Sequence, residues 1–254
     1  MLRALRTVYG TLALYASLML LAVICLAWTA LALPLYFVLP EKSGTACGRY
    51  GIMLGFRAYA WTLTFSGAYR LDLREMDELR EASSLILAPN HPSLIDALLI
   101  LTRHPNVTCV MKSELMKSPF LGAGSRLARY VKNDSPLRMV KQSMRHLRRG
   151  GVLLMFPEGT RTTRLPINAL SASIGLIAKR ADVPVQTLLI ETDSPFLSKG
   201  WPLLRRPALP ITYRVRLGKR FPPPADPTEL ACELDRYFRE ALEEAPQSRW
   251  LTSR

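Results

Sequence analysis

Residues 7–40 contain no charged side chain. A run of that length and character must find a membrane or a protein core, so it constrains the architecture first. As a helix, residues 8–33 would extend about 39 Å at 1.5 Å per residue, more than the ~30 Å hydrocarbon thickness of a bilayer. The run far exceeds the ~7–15 apolar residues of a cleavable signal peptide, which argues against one. Two readings remain: a tilted transmembrane span, or a helix that breaks and returns to the same membrane face. Arg3 and Arg6 precede the run, and Lys42 and Arg49 follow it. Both ends therefore favour the cytoplasmic side, and this symmetry favours a hairpin with Pro34 and Pro40 near its bend. Residues 44–67 are the natural second arm. The pairs Gly44/Gly48 and Gly51/Gly55 have a spacing that lets helices approach closely. Phe56, Tyr59, Trp61 and Phe65 suit an interfacial belt, while Arg49 and Arg57 can snorkel.

Beyond this segment, strand and helix patterns alternate. Strands are expected at residues 68–73, 85–88, 106–111, 130–131, 152–156 and 184–190, with 211–217 as an edge strand. Helices are expected at residues 93–101, 121–129, 135–149 and 169–181, and at 226–244 after a capping-box start. This order predicts an α/β domain, a mixed sheet flanked by helices, behind an N-terminal membrane-embedded helical segment. The expected division is residues 1–66 as anchor, 67–246 as catalytic domain and 247–254 as tail.

The chain has 34 Lys and Arg against 20 Asp and Glu, a net charge of +14. Residues 101–220 hold 22 of the basic residues and 6 of the acidic ones. Such a balance calls for a polyanionic partner: nucleic acid, an anionic bilayer or phosphorylated substrates. The basic run in the helix at 135–149 reads as a solvated face that can also lie against anionic lipid. Cys25, Cys47, Cys109 and Cys232 are widely separated and no pair has metal-ligand spacing, so they read as reduced thiols. His104 reads as a helix-end residue and His146 as a solvated one.

The chemistry-bearing stretch is residues 85–96. The apolar run Leu85-Ile86-Leu87-Ala88 ends at Pro89. Asn90 and His91 fall where a helix cap is expected, and Pro92 suits the first helical position. With His91 in a non-helical cap, its ring can fold back on Asp96, about one turn into the helix. A carboxylate on one imidazole nitrogen fixes the tautomer and stabilises the cation formed when the other takes a proton. The alternative is a capping histidine beside a solvated aspartate. A second apolar run at residues 152–156 leads into Pro157-Glu158-Gly159-Thr160-Arg161. Ligands bind outside the carboxyl ends of such strands. Arg161 can grip a phosphate bidentately, and Gly159 lets backbone amides approach.

Together these stretches resemble the glycerolipid acyltransferase family, which includes the lysophosphatidic acid acyltransferases. Its first motif, Asn-His-x-x-x-x-Asp, is met by Asn90, His91 and Asp96, and its Phe-Pro-Glu-Gly-Thr-Arg motif by residues 156–161. Lys112-Ser113-Glu114-Leu115, Pro119-Phe120-Leu121-Gly122 and Val183-Pro184-Val185 resemble further family elements. The resemblance spans residues 84–190. It implies transfer of a fatty acyl group from acyl-CoA or acyl-acyl carrier protein to a lysophospholipid hydroxyl, that of 1-acylglycerol-3-phosphate above all. His91 would be the general base and Asp96 its partner. Glu158, Gly159, Thr160, Arg161 and Lys112 would bind substrate, with Glu158 positioning Arg161 or an acceptor hydroxyl. A helix starting at Pro92 would help stabilise the oxyanion. No metal or other cofactor is implied. The expected partners are membrane lipid and the thioester donor, possibly acyl carrier protein, and not nucleic acid; the active site would face the cytoplasm. Alternatives are the same chemistry on a specialised lipid or polyketide-like acceptor, and an inactive membrane-anchored basic binding protein. Departures from the family pattern concern the acceptor. The second-motif arginine is missing, with Lys132 or Arg138 as substitutes; Pro166 to Leu170 lack the usual Phe-Lys-x-Gly; Thr187 replaces a proline.

Overall fold

The computed structural model describes residues 2–243 and 245–246, with the side chains of residues 2–6 excepted. The expected tail at 247–254 and the side chains of Arg3 and Arg6 lie outside the described residues.

Helix α1 (Leu2–Val38) continues through Pro34, and the chain turns at Leu39 and Pro40 into α2 (Glu41–Phe65). The bend therefore falls at Pro40 and not at Pro34. The arms are antiparallel: Tyr9 Oη donates to Ser66 O, and a Cβ added at Gly55 or Gly51 would meet Ile24 or Trp28. The small residues thus let the two helices close on each other. The stretch Thr7–Val38 is long and apolar enough to cross a membrane, and little of it is buried within the protein.

The sheet domain follows. Its elements are β1 (Tyr69–Asp72), a 3-10 turn at Arg74–Leu79, β2 (Leu85–Pro89), α3 (Asp96–Leu101), β3 (Val107–Lys112), α4 (Ser113–Met116) and α5 (Gly122–Leu127). Then come β4 (Val131–Asn133), α6 (Pro136–Leu147), β5 (Val152–Leu154), α7 (Ser173–Ala181), β6 (Val185–Thr192), β7 (Ile211–Phe221) and α8 (Pro227–Leu242). The strands form one seven-stranded sheet in the order β1-β7-β6-β2-β5-β3-β4. All pairings are parallel except β6 with β7.

Side-chain alternation divides the core between the two faces. Leu85, Leu87, Val152, Leu154, Leu188 and Ile190 pack with α3 and with Tyr59 and Leu63 of α2. Ile86, Ala88, Leu153, Val185 and Leu189 pack under α6, α7 and α8. Strands covered on both faces explain why β2 and β5 read as unbroken apolar runs. The mixed α/β architecture is the expected one, and Asp226 caps α8 by accepting from Thr228 N at 2.7 Å.

Two expectations fail. The strand at 211–217 is not an edge strand: β7 runs to Phe221 and lies between β1 and β6. Its alternation of Ile211, Tyr213 and Val215 reports one buried face, which an interior antiparallel strand also shows. His146 is half-buried and not a freely solvated side chain. Its ring lies over Gly151, and Nε2 contacts Val152 O at 3.1 Å. Burial, then the nearby Arg49 charge, push His146 down to about 4, while its bond to Val152 pulls the other way.

Gly48 marks a close approach between α2 and α5. An added Cβ would lie 2.5 Å from the backbone N of Ala128, whereas at Gly55 it would lie 3.2 Å from Ile24 Cγ2. Overpacking against backbone costs roughly 1–3 kcal/mol, and removing a helical glycine returns up to ~1 kcal/mol. Gly48→Ala should therefore lower the unfolding temperature in detergent, while Gly55→Ala should leave it unchanged or raise it slightly.

Candidate active site

The carboxyl ends of β2, β5 and β6 meet at one edge of the sheet. Here Asn90 clamps two strands. Its Nδ2 donates to Ile190 O at 2.9 Å, and its Oδ1 accepts from Ile190 N at 2.7 Å. His91 follows outside any helix or strand, so its ring is free of helical geometry. Nδ1 lies 2.8 Å from Asp96 Oδ2, which also accepts from Ser93 N at 2.7 Å. Since a carboxylate only accepts, Nδ1 carries the proton and Nε2 presents its lone pair. Nε2 bonds to no described residue. The ring stacks on Phe156 with centroids 3.9 Å apart. Asp96 is wholly buried. Burial raises its carboxyl above the ordinary carboxylate value, while His91, the Ser93 amide and the charge of Arg161 pull it down.

The helix expected from residue 93 begins only at Asp96, with Ile95 as its cap. Pro92 is therefore outside it, and no helix N-terminus there faces an oxyanion. The reason is local. Ser93 N is bonded to Asp96 Oδ2, and Ser93 Oγ donates to Phe196 O at 3.1 Å, which holds residues 92–95 in turns.

Glu158 faces the His91 loop and not Arg161. It is buried, and it makes no bond or ion pair with Arg161 among the described residues. Its Oε1 accepts from His91 N at 2.9 Å and Thr162 Oγ1 at 2.8 Å, and its Oε2 accepts from Asn168 N at 2.9 Å. Thr162 N donates back to His91 O at 2.7 Å. Glu158 thus ties the two motif loops together through backbone. Burial raises its carboxyl, and these three donors oppose the shift. Gly159 turns the chain with φ +64°, a conformation that suits glycine.

Arg161 lies beside this pair. Nη1 donates to Leu197 O at 2.8 Å and Ser198 O at 3.0 Å, leaving Nε and Nη2 without a described partner. Burial lowers its pKa and Asp96 raises it. Thr160 Oγ1 accepts from Lys199 Nζ at 3.1 Å. Lys112 closes β3 at the same sheet edge but forms no bond or ion pair to His91, Asp96, Glu158 or Arg161 among the described residues. Lys132 pairs with Asp134 at 2.8 Å, and Arg138 lies 4.0 Å from the same carboxylate. Neither is brought to the pair. Among the described residues no group of His, Cys, Asp and Glu is arranged to hold a metal.

Residues 70–191, with this site among them, match the family model described as Acyltransferase. That stretch runs from β1 into β6, so the likeness to the acyltransferases covers the part of the sheet domain that holds the site. The chain is 24% identical over 205 residues to a 1-acyl-sn-glycerol-3-phosphate acyltransferase of Pseudomonas aeruginosa, a match covering 78% of this chain and 76% of that one. Its fold is that of the crystal structure of the 1-acyl-sn-glycerophosphate acyltransferase of Thermotoga maritima. The TM-score is 0.70 at 20% identity, over 95% of this chain and 97% of that one.

Sequence reasoning missed part of this acyltransferase's site. Residues 194–199, in the connector between β6 and β7, join it. Phe196 and Leu197 contribute carbonyls to Ser93, Leu94 and Arg161, and Tyr213 Oη donates to Ser93 Oγ at 3.0 Å. The available signal was length. A connector of some twenty residues in a compact α/β domain is usually functional. The network around Glu158 yields a prediction. Gln offers one acceptor oxygen and one donor NH₂ where Glu158 faces only donors. Glu158→Gln in the acyltransferase should cost about 1–3 kcal/mol, read as a lowered unfolding temperature together with loss of activity.

Proposed function

We propose that this acyltransferase moves a fatty acyl group from an acyl-CoA or acyl-acyl carrier protein thioester to the free hydroxyl of a lysophospholipid, 1-acylglycerol-3-phosphate above all. The observation that carries this reading is the 2.8 Å contact between His91 Nδ1 and the buried Asp96 carboxylate. It leaves Nε2 as a proton acceptor at a sheet edge beside a guanidinium. His91 Nε2 takes the hydroxyl proton as the oxygen attacks the thioester carbonyl. The tetrahedral intermediate collapses by breaking the C–S bond, and the thiolate leaves with the proton that His91 returns. The products are an ester and a free thiol. Asp96 stabilises the imidazolium between the two transfers. Glu158 holds the His91 backbone, and Arg161 receives the acceptor phosphate through Nε and Nη2. Gly159, Thr160 and Lys112 stand at the same edge as further substrate contacts. The identity of the Pseudomonas relative supports the acceptor class.

The hairpin of residues 1–66 anchors the protein to the membrane, and residues 67–246 carry the chemistry from the cytoplasmic face. Tags at residues 1 and 254 should both be reached by an impermeant label from the cytoplasmic side; protection of either would refute the one-sided hairpin.

Thioester-dependent thiol release against a panel of acceptors tests the reaction. His91→Ala should lower turnover by roughly 10²–10⁴-fold with membrane association unchanged. Turnover near the parent rate would remove His91 from its role.

The acceptor reading is sharpened by the engaged state of Lys132, whose partner is Asp134. With fewer cations offered to the phosphate, discrimination rests largely on Arg161. Arg161→Lys keeps the charge but loses the fork of fixed donors. The acceptor KM should rise roughly 10–100-fold, with the donor KM nearly constant. An unchanged preference for lysophosphatidate over a neutral hydroxylated lipid in this variant would place the phosphate elsewhere.

A further inference from the structure

A cleft of about 1010 Å³ begins where β3 and β5 start, at the end of the sheet opposite His91, and runs along the outer strand β4 to Lys132 and Met116. None of the residues around the His91–Asp96 pair lines it. Its walls are the end of α1, the first turns of α2, the α5–β4 connection and α6. The lining includes Lys42, Arg49, Arg126, Arg129, Arg145 and Arg149, none of which is ion-paired to a described residue. Lys132 also reaches it but is held by Asp134. Glu41 is the one carboxylate among the described lining residues.

Arg49 gives the cleft its depth. It is 9% exposed, and it donates from Nε to Ala128 O at 3.1 Å and from Nη1 to Asn106 Oδ1. Both acceptors are neutral. A buried guanidinium with no counter-charge is costly unless an anion completes it. Arg129 Nη1 approaches Tyr36 Oη at 3.4 Å and its guanidinium stacks over the same ring at 5.0 Å. The arginines are thus partly pre-positioned. Guanidinium groups match phosphate oxygens bidentately.

The rim determines the ligand class. Tyr36, which lines the cleft, is followed by Phe37 and Val38, 77% and 76% exposed at the hairpin turn. A cationic basin beside bare apolar side chains matches a molecule with a phosphate at one end and acyl chains at the other. A soluble anion would use only the basin. We propose that this cleft binds the phosphate headgroup of an anionic phospholipid of the surrounding bilayer, separately from the acyl-transfer site. Such a lipid would neutralise Arg49 and fix the hairpin against α5 and α6.

The test uses the full-length protein in uncharged detergent micelles doped with phosphatidylglycerol, which is neither the acceptor nor the product proposed above. Phosphatidylcholine and inorganic phosphate serve as comparison ligands. Phosphatidylglycerol should be bound saturably and phosphatidylcholine should not. The exposed pair Arg145→Gln/Arg149→Gln should weaken that binding roughly tenfold or more, with acyl transfer to a micellar acceptor unchanged. The pair Arg138→Gln/Lys141→Gln removes the same charge from α6 outside the cleft lining and should change binding less than about twofold if the site is discrete. Equal loss in both pairs would mean diffuse attraction and would overturn the site. So would equal binding of phosphatidylcholine, or undiminished binding in the cleft variant. Displacement by inorganic phosphate at equal concentration would reassign the cleft to a soluble anion.

Discussion

A carboxylate taken out of water must be surrounded by donors, and the active-site end of this acyltransferase is built around two such groups. Asp96 meets the His91 ring and the Ser93 amide, both at Oδ2, while its buried Oδ1 has no hydrogen-bond partner among the described residues. Glu158 is enclosed by the His91 amide, the Thr162 hydroxyl and the Asn168 amide. Both networks pass through His91, one through its ring and one through its backbone. The imidazole therefore cannot shift without exposing one or the other carboxylate to unpaired burial, which is costly. Asn90 adds a third restraint by locking the loop to Ile190 of β6. Orientation is thus fixed before any substrate arrives, and preorganisation of this kind lowers the cost of the chemical step.

The arrangement also explains the division between positioning and binding groups. Glu158 spends its acceptor capacity inside the protein, so it has little to offer a ligand. Arg161 spends only Nη1, on the carbonyls of Leu197 and Ser198, and keeps the rest of its fork outward. The segment at 194–199 therefore acts as a shelf that aims the guanidinium. Leu197 adopts φ +59° to present that carbonyl, a conformation uncommon for a branched residue.

Charge is distributed in two separate places. The acyl-transfer end holds few cations near the pair, whereas the far cleft gathers most of a cationic ring around the buried Arg49. Arg126, Arg129, Lys132, Arg145 and Arg149 bring part of the positive balance of residues 101–220 to the end of the domain that adjoins the hairpin turn.

The apolar N-terminal run, the α/β class, the strands β2, β5 and β6, and the pairing of His91 with Asp96 were legible in the sequence. Each depends on local patterns: absence of charge, short apolar runs, and motif spacing across a single turn. The start of α3, the interior place of β7 and the half-buried setting of His146 were not legible. Each was decided by a partner distant in the chain. Phe196, more than a hundred residues away, holds Ser93 out of the helix. β1 takes the edge that β7 would otherwise occupy. Gly151 opens the space the His146 ring fills. Glu158 is the sharpest case. Its motif marked it as a functional residue, yet which donors it meets depends on where the loops after β2 and β5 and the chain at Asn168 converge. Sequence determines hydrophobic periodicity and residue chemistry, because these are properties of neighbours along the chain. Only tertiary structure decides which buried donor meets which buried acceptor, because satisfying them is a condition on the whole packed interior.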